Sequence, residues 1–182
     1  MPFVLSLVFL CGELKVKKTI EADCCSDEHS FSTTCFFLNL ILIIMATQIY
    51  VNLPVKDLTK TTRFFSQLGY SFNPQFSDEN AKCMIISDDI YVMLLAEPFF
   101  RSFTNKEIPD NINTCGTILS LSEESQSAVD DMLQKCIDAG GKDVSQPQQV
   151  DFMYNRAFED PDGHRWEVFY MDIAKVPKAQ AV

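Results

Sequence analysis

An internal duplication constrains the fold of this chain more than any other feature of its sequence. The pattern of a strand, a helix and three further strands runs from about residue 48 to 96, and the same order recurs from about 114 to 171. An offset of about 70 residues indicates two copies of one supersecondary unit. We therefore predict an α+β fold in which two βαβββ modules form a curved mixed β-sheet around a concave pocket, with the helices on the outer side.

The first copy begins with a strand from Gln48 to Val55, in which apolar and polar residues alternate. Asp57 is suited to cap the following helix, and Gly69 is suited to end it. Three strands are predicted after it, at about 70–76, 82–87 and 90–96.

The second copy follows a linker at 97–113. It starts with a strand from Thr114 to Leu121, and a helix then opens at Ser122 or Glu123 and ends at Gly140. The last strands are predicted at about 142–146, 152–159 and 164–171, with a tight turn at 160–163.

The charge balance narrows the classes of partner. The chain has 15 basic and 25 acidic residues, a net charge of −10. Nucleic acids and anionic membranes are bound by clustered Lys and Arg, so this balance argues against both partners. An acidic protein is compatible with a cationic ligand.

The cysteines point to a reducing compartment. Seven cysteines with no C-x-x-C spacing do not form a disulfide framework. Cys83, Cys115 and Cys136 lie in apolar patterns and are predicted to be buried, and we expect the protein to be cytoplasmic.

The first 46 residues differ from the rest of the chain. Two apolar runs flank a polar middle, but the first lacks the features of a signal peptide and the second is too short to span a membrane. We predict that 1–46 is an extension, either disordered or the product of a start site upstream of a natural start at Met45. The folded domain is predicted at 47–172, and a tail at 173–182.

Two segments resemble a known family. The segment LPVKDL at 53–58 leads into FF at 64–65 and LGY at 68–70, and the chain ends its second copy with FEDPDGHRWEV at 158–168. Together with the duplicated order, these resemble the vicinal oxygen chelate superfamily, which includes glyoxalase I, bleomycin-resistance proteins and extradiol dioxygenases. The chain looks most similar to a bacterial branch labelled predicted lactoylglutathione lyases.

The resemblance implies a metal site that this chain has largely lost. Metal-binding members hold one divalent ion with His or Glu on four strands, and those positions align with Tyr50, Leu94, Gly116 or Thr117, and Glu167. Only Glu167 is a strong ligand, whereas such ions need three or four protein ligands. No resident metal is therefore predicted.

The same positions, combined with strand alternation, predict a ligand pocket. Tyr50, Asn52, Leu94 and Glu167 are expected to face it. Three further residues are expected to line it: Tyr154, Arg156 and Phe169. Glu167 could act as a general base, or it could be a structural residue paired with Arg165 or Arg156.

Two functions follow, from different classes. The first is a metal-independent binder of a small organic molecule, similar to the bleomycin-resistance members. The second is a lyase or isomerase of the lactoylglutathione lyase type that uses Ni, Zn, Fe or Mn, held by residues such as Glu97 and Glu167. A homodimer is expected, because Phe99, Phe100 and Phe103 in the linker are apolar enough to cover a dimer interface or the pocket.

Overall fold

The computed structural model describes residues 47–176. The predicted extension at 1–46, with its start-site hypothesis, and the tail beyond residue 176 lie outside the described residues. The described elements of the first module are β1 (Ile49–Val55), α1 (Leu58–Leu68), β2 (Ser71–Asn73), β3 (Ala81–Ile85) and β4 (Ile90–Ala96). A short helix, α2 (Glu97–Phe100), and a 3-10 turn (Arg101–Phe103) follow.

The second module repeats the order with one extra strand. Its elements are β5 (Ile118–Ser122), α3 (Gln126–Asp138), β6 (Lys142–Asp143), β7 (Gln148–Val150), β8 (Met153–Glu159) and β9 (Arg165–Met171). A 3-10 turn at Ile173–Lys175 closes the described chain.

The strands form two mixed sheets of related topology. Sheet 1 has the order β1-β4-β3-β2, and sheet 2 has the order β5-β9-β8-β6, with β7 also paired to β8. In each sheet the first strand of the module runs parallel to the last one, and the other neighbours are antiparallel. The α+β prediction with two βαβββ modules is confirmed.

The helix boundaries agree with the sequence prediction in the first module and differ in the second. The Asp57 side chain accepts a hydrogen bond from the backbone N–H of Lys60, and Gly69 ends α1 with a φ of 105°, which favours glycine. The predicted start of α3 at Ser122 or Glu123 was wrong, because Ser125 caps that helix. Strand β5 also starts later than predicted, at Ile118 rather than Thr114.

Both helices and both sheets share one hydrophobic core. Phe65 of α1 packs edge-on against Trp166 of β9, with ring centres 5.2 Å apart. Phe158 of β8 stacks on the same tryptophan at 6.2 Å. Because the core contains side chains from both modules, neither module buries its apolar face alone.

The turn at 160–163 locks the second module onto the first. Asp162 is buried, and its carboxylate accepts hydrogen bonds from the backbone N–H of Lys56 and from the hydroxyl of Thr61. His164 donates from Nε2 to the carbonyl oxygen of Pro54 at 2.8 Å, so its Nδ1 accepts from the side-chain amide of Asn111. The bonds from Asp162 join residues about one hundred positions apart, so the turn fixes how the two modules meet.

Asp160 organises the turn itself. Its carboxylate accepts hydrogen bonds from the backbone N–H groups of Asp162 and His164 and from the indole N–H of Trp166. Burial raises the pKa of this carboxyl above its usual range. Gly163 has a φ of 86° and lies tightly against the 111–112 backbone, so a side chain at this position would be strained and crowded.

Two further findings concern the whole described region. None of its helices is long and apolar enough to cross a membrane. Cys83 and Cys136 are buried as predicted, but Cys115 is exposed, because it lies before the start of β5 rather than within a strand.

Candidate functional site

Each sheet packs one face against the longer helices α1 and α3, and we call the opposite face, which these two helices leave uncovered, the helix-free face. On sheet 2, the helix side carries Trp166 and Val168, and alternation therefore puts Glu167 and Phe169 on the helix-free face. β5 adds Ser120, which lies in register with Glu167. The Ser120 hydroxyl donates to Glu167 Oε2 at 3.1 Å. This face therefore presents a partly buried carboxylate beside a partly buried aromatic ring.

The helix-free face of sheet 1 is apolar and largely covered. Cys83, Met93 and Leu95 are buried there, under aromatic side chains that include Phe99 and Phe100 of α2. Tyr50 lies at its edge, stacked on Tyr91 with ring centres 4.9 Å apart. The covering makes this face a second, smaller core.

A cavity of about 180 Å³ lies where the end of β1 meets the start of β5 and β9. Its polar lining includes Asn52, Thr117 and Arg165. Its apolar lining includes Leu53, Pro54, Phe100 and Leu119. A few polar groups on apolar walls are typical of a small-molecule site.

The arginines near the site do not neutralise Glu167. Arg156 pairs with Asp143 at 2.8 Å and with Asp130 at 3.3 Å. Arg165 has no carboxylate oxygen within 4.0 Å among residues 47–176, and Glu167 has no cation within that distance. The alternative prediction, that Glu167 is a structural residue in an ion pair with Arg156 or Arg165, was therefore wrong.

Strand alternation placed Leu94 on the wrong face. Leu94 lies in register with Leu53, is fully buried and belongs to the core beneath the helices. Met93, in register with Asn52, is the residue of β4 that occupies the helix-free face. Leu94 therefore cannot line the pocket.

Tyr154 and Arg156 are also on the helix side and not in the pocket. The Tyr154 hydroxyl donates to Asp130 Oδ1 of α3 at 2.7 Å, and the Arg156 guanidinium pairs with the same carboxylate. Their aromatic and aliphatic portions pack beneath α3 while their polar tips reach its surface. The predicted lining role of both residues was wrong.

The linker phenylalanines take different positions. Phe99 and Phe100 pack against sheet 1, and Phe100 also lines the cavity. Phe103 contacts Phe99 edge-on and stays 46% exposed. The structure thus gives Phe100 a place at the cavity, whereas a dimer interface stays a prediction.

The donor set does not fit the divalent metal that the resemblance implies. At the first of the four metal positions of the family, Tyr50 stacks on Tyr91. The position on β4 is the buried Leu94 or its neighbour Met93. The third position, Gly116 or Thr117, precedes β5. Glu167 alone supplies a carboxylate. Within residues 47–176 no group of three or more His, Cys, Asp and Glu side chains comes together. The carboxylate of Glu97, the other ligand considered, is partly buried and lies 3.7 Å from the Arg101 guanidinium.

Sequence reasoning missed two residues of the site, Ser120 and Arg165. The place of Ser120 beside Glu167 follows only from strand register, which cannot be read from the sequence. Arg165 shares its face with Glu167 by simple alternation, so the signal was present, but it was interpreted as a partner of Glu167. Of the residues expected to face one pocket, Asn52 lines this cavity, whereas Tyr50, Glu167 and Phe169 do not.

Comparisons with known proteins agree with this fold. The family model described as Glyoxalase/Bleomycin resistance protein/Dioxygenase superfamily matches residues 47–168. No curated protein matches the chain. Among solved structures, a hypothetical protein from S. aureus is 25% identical with a TM-score of 0.60, over 69% of this chain and 94% of that one.

Two more distant structures share the fold alone. A family enzyme from Burkholderia phytofirmans PsJN is 16% identical with a TM-score of 0.59, over 69% of this chain and 99% of that one. The fosfomycin resistance protein FosX from Listeria monocytogenes is 17% identical with a TM-score of 0.54, over 72% and 98%. Because the family model covers most of the chain and the duplicated modules match its fold, this protein belongs to the glyoxalase/bleomycin resistance protein/dioxygenase superfamily.

Proposed function

We propose that this protein binds a small organic ligand on the helix-free face of sheet 2 and holds no resident divalent metal. The observation that carries the proposal is the environment of the Glu167 side chain. Its carboxylate is partly buried, is hydrogen-bonded by Ser120, and has no cation beside it among the described residues. A partly buried carboxylate that lacks a counter-ion has lost part of its hydration, so a ligand that supplies a positive charge would be stabilised there.

The neighbouring side chains suit an organic ligand better than a metal. Phe169 offers an aromatic surface on the same face, and the cavity lined by Asn52 lies at the adjoining end of the sheet. Lyase chemistry of the lactoylglutathione type needs an electrophile to polarise a carbonyl, which the metal supplies in metal-dependent enzymes. Glu167 alone can take a proton but cannot replace that Lewis acid, so binding is the function that these residues support best.

The setting of the protein is part of the same proposal. We expect a cytoplasmic protein, because seven cysteines with no C-x-x-C spacing do not form a disulfide framework in the sequence and suit a reducing compartment. We also expect a homodimer, because the exposed Phe103 and Ile118 would be shielded by a second chain. Sedimentation of the purified full chain over a range of concentrations measures the assembly, and a strict monomer would contradict it.

The test compares Glu167→Gln with Glu79→Gln, which makes the same chemical change at an exposed turn of the first module. Benzylamine is the probe, and benzyl alcohol is its neutral counterpart. We expect Glu167→Gln to weaken benzylamine binding about tenfold, since hydrogen bonds to charged groups contribute about 1.5–3 kcal/mol. Benzyl alcohol should bind both variants alike, and thermal melting should confirm that both fold.

Metal analysis of the purified protein gives the decisive contrary outcome. Stoichiometric Ni, Zn, Fe or Mn, lost in Glu167→Gln, would favour the lyase instead, and isomerisation of a hemithioacetal by the metal-loaded protein would establish it. Equal benzylamine affinity in all three proteins would refute the role given to Glu167.

A further inference from the structure

Among residues 47–176 no carboxylate forms an ion pair with Arg165, although the protein is strongly acidic. The chain carries a net charge of −10, yet no carboxylate oxygen of residues 47–176 lies within 4.0 Å of the Arg165 guanidinium. Glu159 is its register partner on β8 and Glu167 is two residues along the same face, yet neither carboxylate pairs with Arg165. The pairing that would normally satisfy an arginine is left open.

The cavity at the end of β1 lies against this residue. Its volume of about 180 Å³ is far more than the roughly 15 Å³ that one water molecule needs. Asn52 and Thr117 add an amide and a hydroxyl to its polar lining, and both can donate hydrogen bonds. His164 also lines it, but both of its ring nitrogens are already engaged, with Pro54 and Asn111.

We infer that this cavity is an oxyanion subsite, in which Arg165 binds the carboxylate of a small organic ligand and Asn52 and Thr117 complete its hydrogen bonds. An arginine presents two parallel N–H groups that match a carboxylate, and such charge-assisted bonds are among the strongest in proteins. The organic body of the ligand packs on the apolar wall formed by Leu53, Phe100 and Leu119.

This subsite deepens the proposed function and rests on it only in taking the ligand to be a small organic molecule. Arg165 and Glu167 lie two residues apart on one face of β9, so a single ligand can reach both. A molecule that carries an acid group at one end and an amine at the other satisfies both charges. The ligand class is therefore a small zwitterionic compound whose acid and amine are separated by an apolar body, such as 4-(aminomethyl)benzoate.

The experiment measures benzoate binding by calorimetry, with benzamide as the neutral counterpart. We expect benzoate to bind the wild-type protein more tightly than benzamide does, and Arg165→Gln to weaken benzoate about tenfold. Arg165→Lys should keep part of the affinity, since it keeps the charge but loses the planar pair of N–H groups. Lys135→Gln, which removes the same charge from exposed α3, is the matched control and should not change benzoate affinity.

A second readout does not depend on substitution. Cys115 lines the same cavity and is exposed, so bound benzoate should slow its alkylation by iodoacetamide in the wild-type protein. Phenylphosphonate is a second probe, which tests whether the subsite also accepts a phosphonate. Slower alkylation of Cys115 in the presence of either acid supports the subsite.

Three results would overturn the inference. They are equal affinity of benzoate and benzamide, equal benzoate affinity in wild type and Arg165→Gln, and alkylation of Cys115 that neither acid slows. Failure of the subsite is separate from failure of the proposed function, because benzoate tests Arg165 and benzylamine tests Glu167.

Discussion

The two helix-free faces come from the same module written twice, yet they have become different surfaces. On sheet 1, Met93 and Leu95 are buried under the aromatic rings of α2. On sheet 2, Ser120 and Glu167 remain accessible beside Phe169. Among the described residues one face has become core and the other keeps accessible polar groups, which is why the proposed ligand surface is assigned to sheet 2.

The connection after each module explains the difference. The chain leaves β4 into α2, which turns back at once and places Phe99 and Phe100 over sheet 1. After β9 it continues into the 3-10 turn at Ile173–Lys175, where Ile173 stays 74% exposed and covers nothing comparable. The segment that the chain enters after the last strand of each module therefore decides whether the helix-free face of that module is covered or accessible.

The largest expected effect tests whether the sheet 1 face is core. Met93→Ala should lower the free energy of unfolding by about 2–5 kcal/mol, because it leaves a cavity under α2. Met171→Ala is the matched change on the helix-free face of sheet 2, where the side chain is only partly buried. It should cost less than about 1.5 kcal/mol. Urea unfolding measures both, and equal losses would show that the two faces do not differ as described.

The next effect tests the junction between the modules. Asp162→Ala should cost about 1–3 kcal/mol, since it removes the acceptor for Lys56 and Thr61 and leaves the Lys56 backbone N–H unsatisfied, while the Thr61 hydroxyl keeps the carbonyl oxygen of Asp57 as an acceptor. Asp131→Ala on the exposed surface of α3 is the control, with an expected change within about 0.5 kcal/mol. Calorimetry should still give one transition for Asp162→Ala, because the modules share a core. Two separate transitions in the wild-type protein would contradict that shared core.

The sequence predicted the parts of the fold where apolar and polar residues alternate clearly. In β9 the apolar Trp166 and Val168 set one face, so the opposite face of Glu167 followed directly. The order of strands and helix in each module and the helix cap at Asp57 were also predicted from the sequence. Each of these signals is local, and the tertiary fold leaves it unchanged.

Strand faces were assigned wrongly from the sequence in two situations. In one, both faces of the strand are buried; in the other, a side chain with a polar tip lies on the helix side of its sheet. β4 reads IYVMLLA and is apolar on both sides, so alternation could not tell Leu94 from Met93. In β8, Tyr154 and Arg156 are polar at the tip and still lie on the helix side, because Asp130 of α3 meets them there. The face on which each of these side chains lies is determined by strand register and by the positions of α2 and α3, and these depend on the tertiary structure.

A smaller effect tests the helix side of sheet 2. Tyr154→Phe removes the hydroxyl that donates to Asp130 and should cost about 1 kcal/mol. Benzylamine and benzoate affinities should stay the same, because Tyr154 lies beneath α3 and not on the helix-free face. Isothermal titration calorimetry measures both affinities, and weaker binding of either probe would indicate that Tyr154 belongs to the ligand site.

The smallest perturbation leaves the sequence intact and compares two thiols. Cys115 lies exposed at the cavity, whereas Cys136 is buried in α3. Burial raises the pKa of the Cys136 thiol to about 12. Alkylation requires the thiolate, so at pH 8 iodoacetamide should modify Cys115 rapidly and leave Cys136 unmodified while the protein is folded. Peptide mass mapping over time measures both rates, and urea should make them equal because unfolding removes the burial. Rapid labelling of Cys136 in the native protein would show that α3 opens readily, and the shared core would then be less stable on the sheet 2 side than its packing indicates.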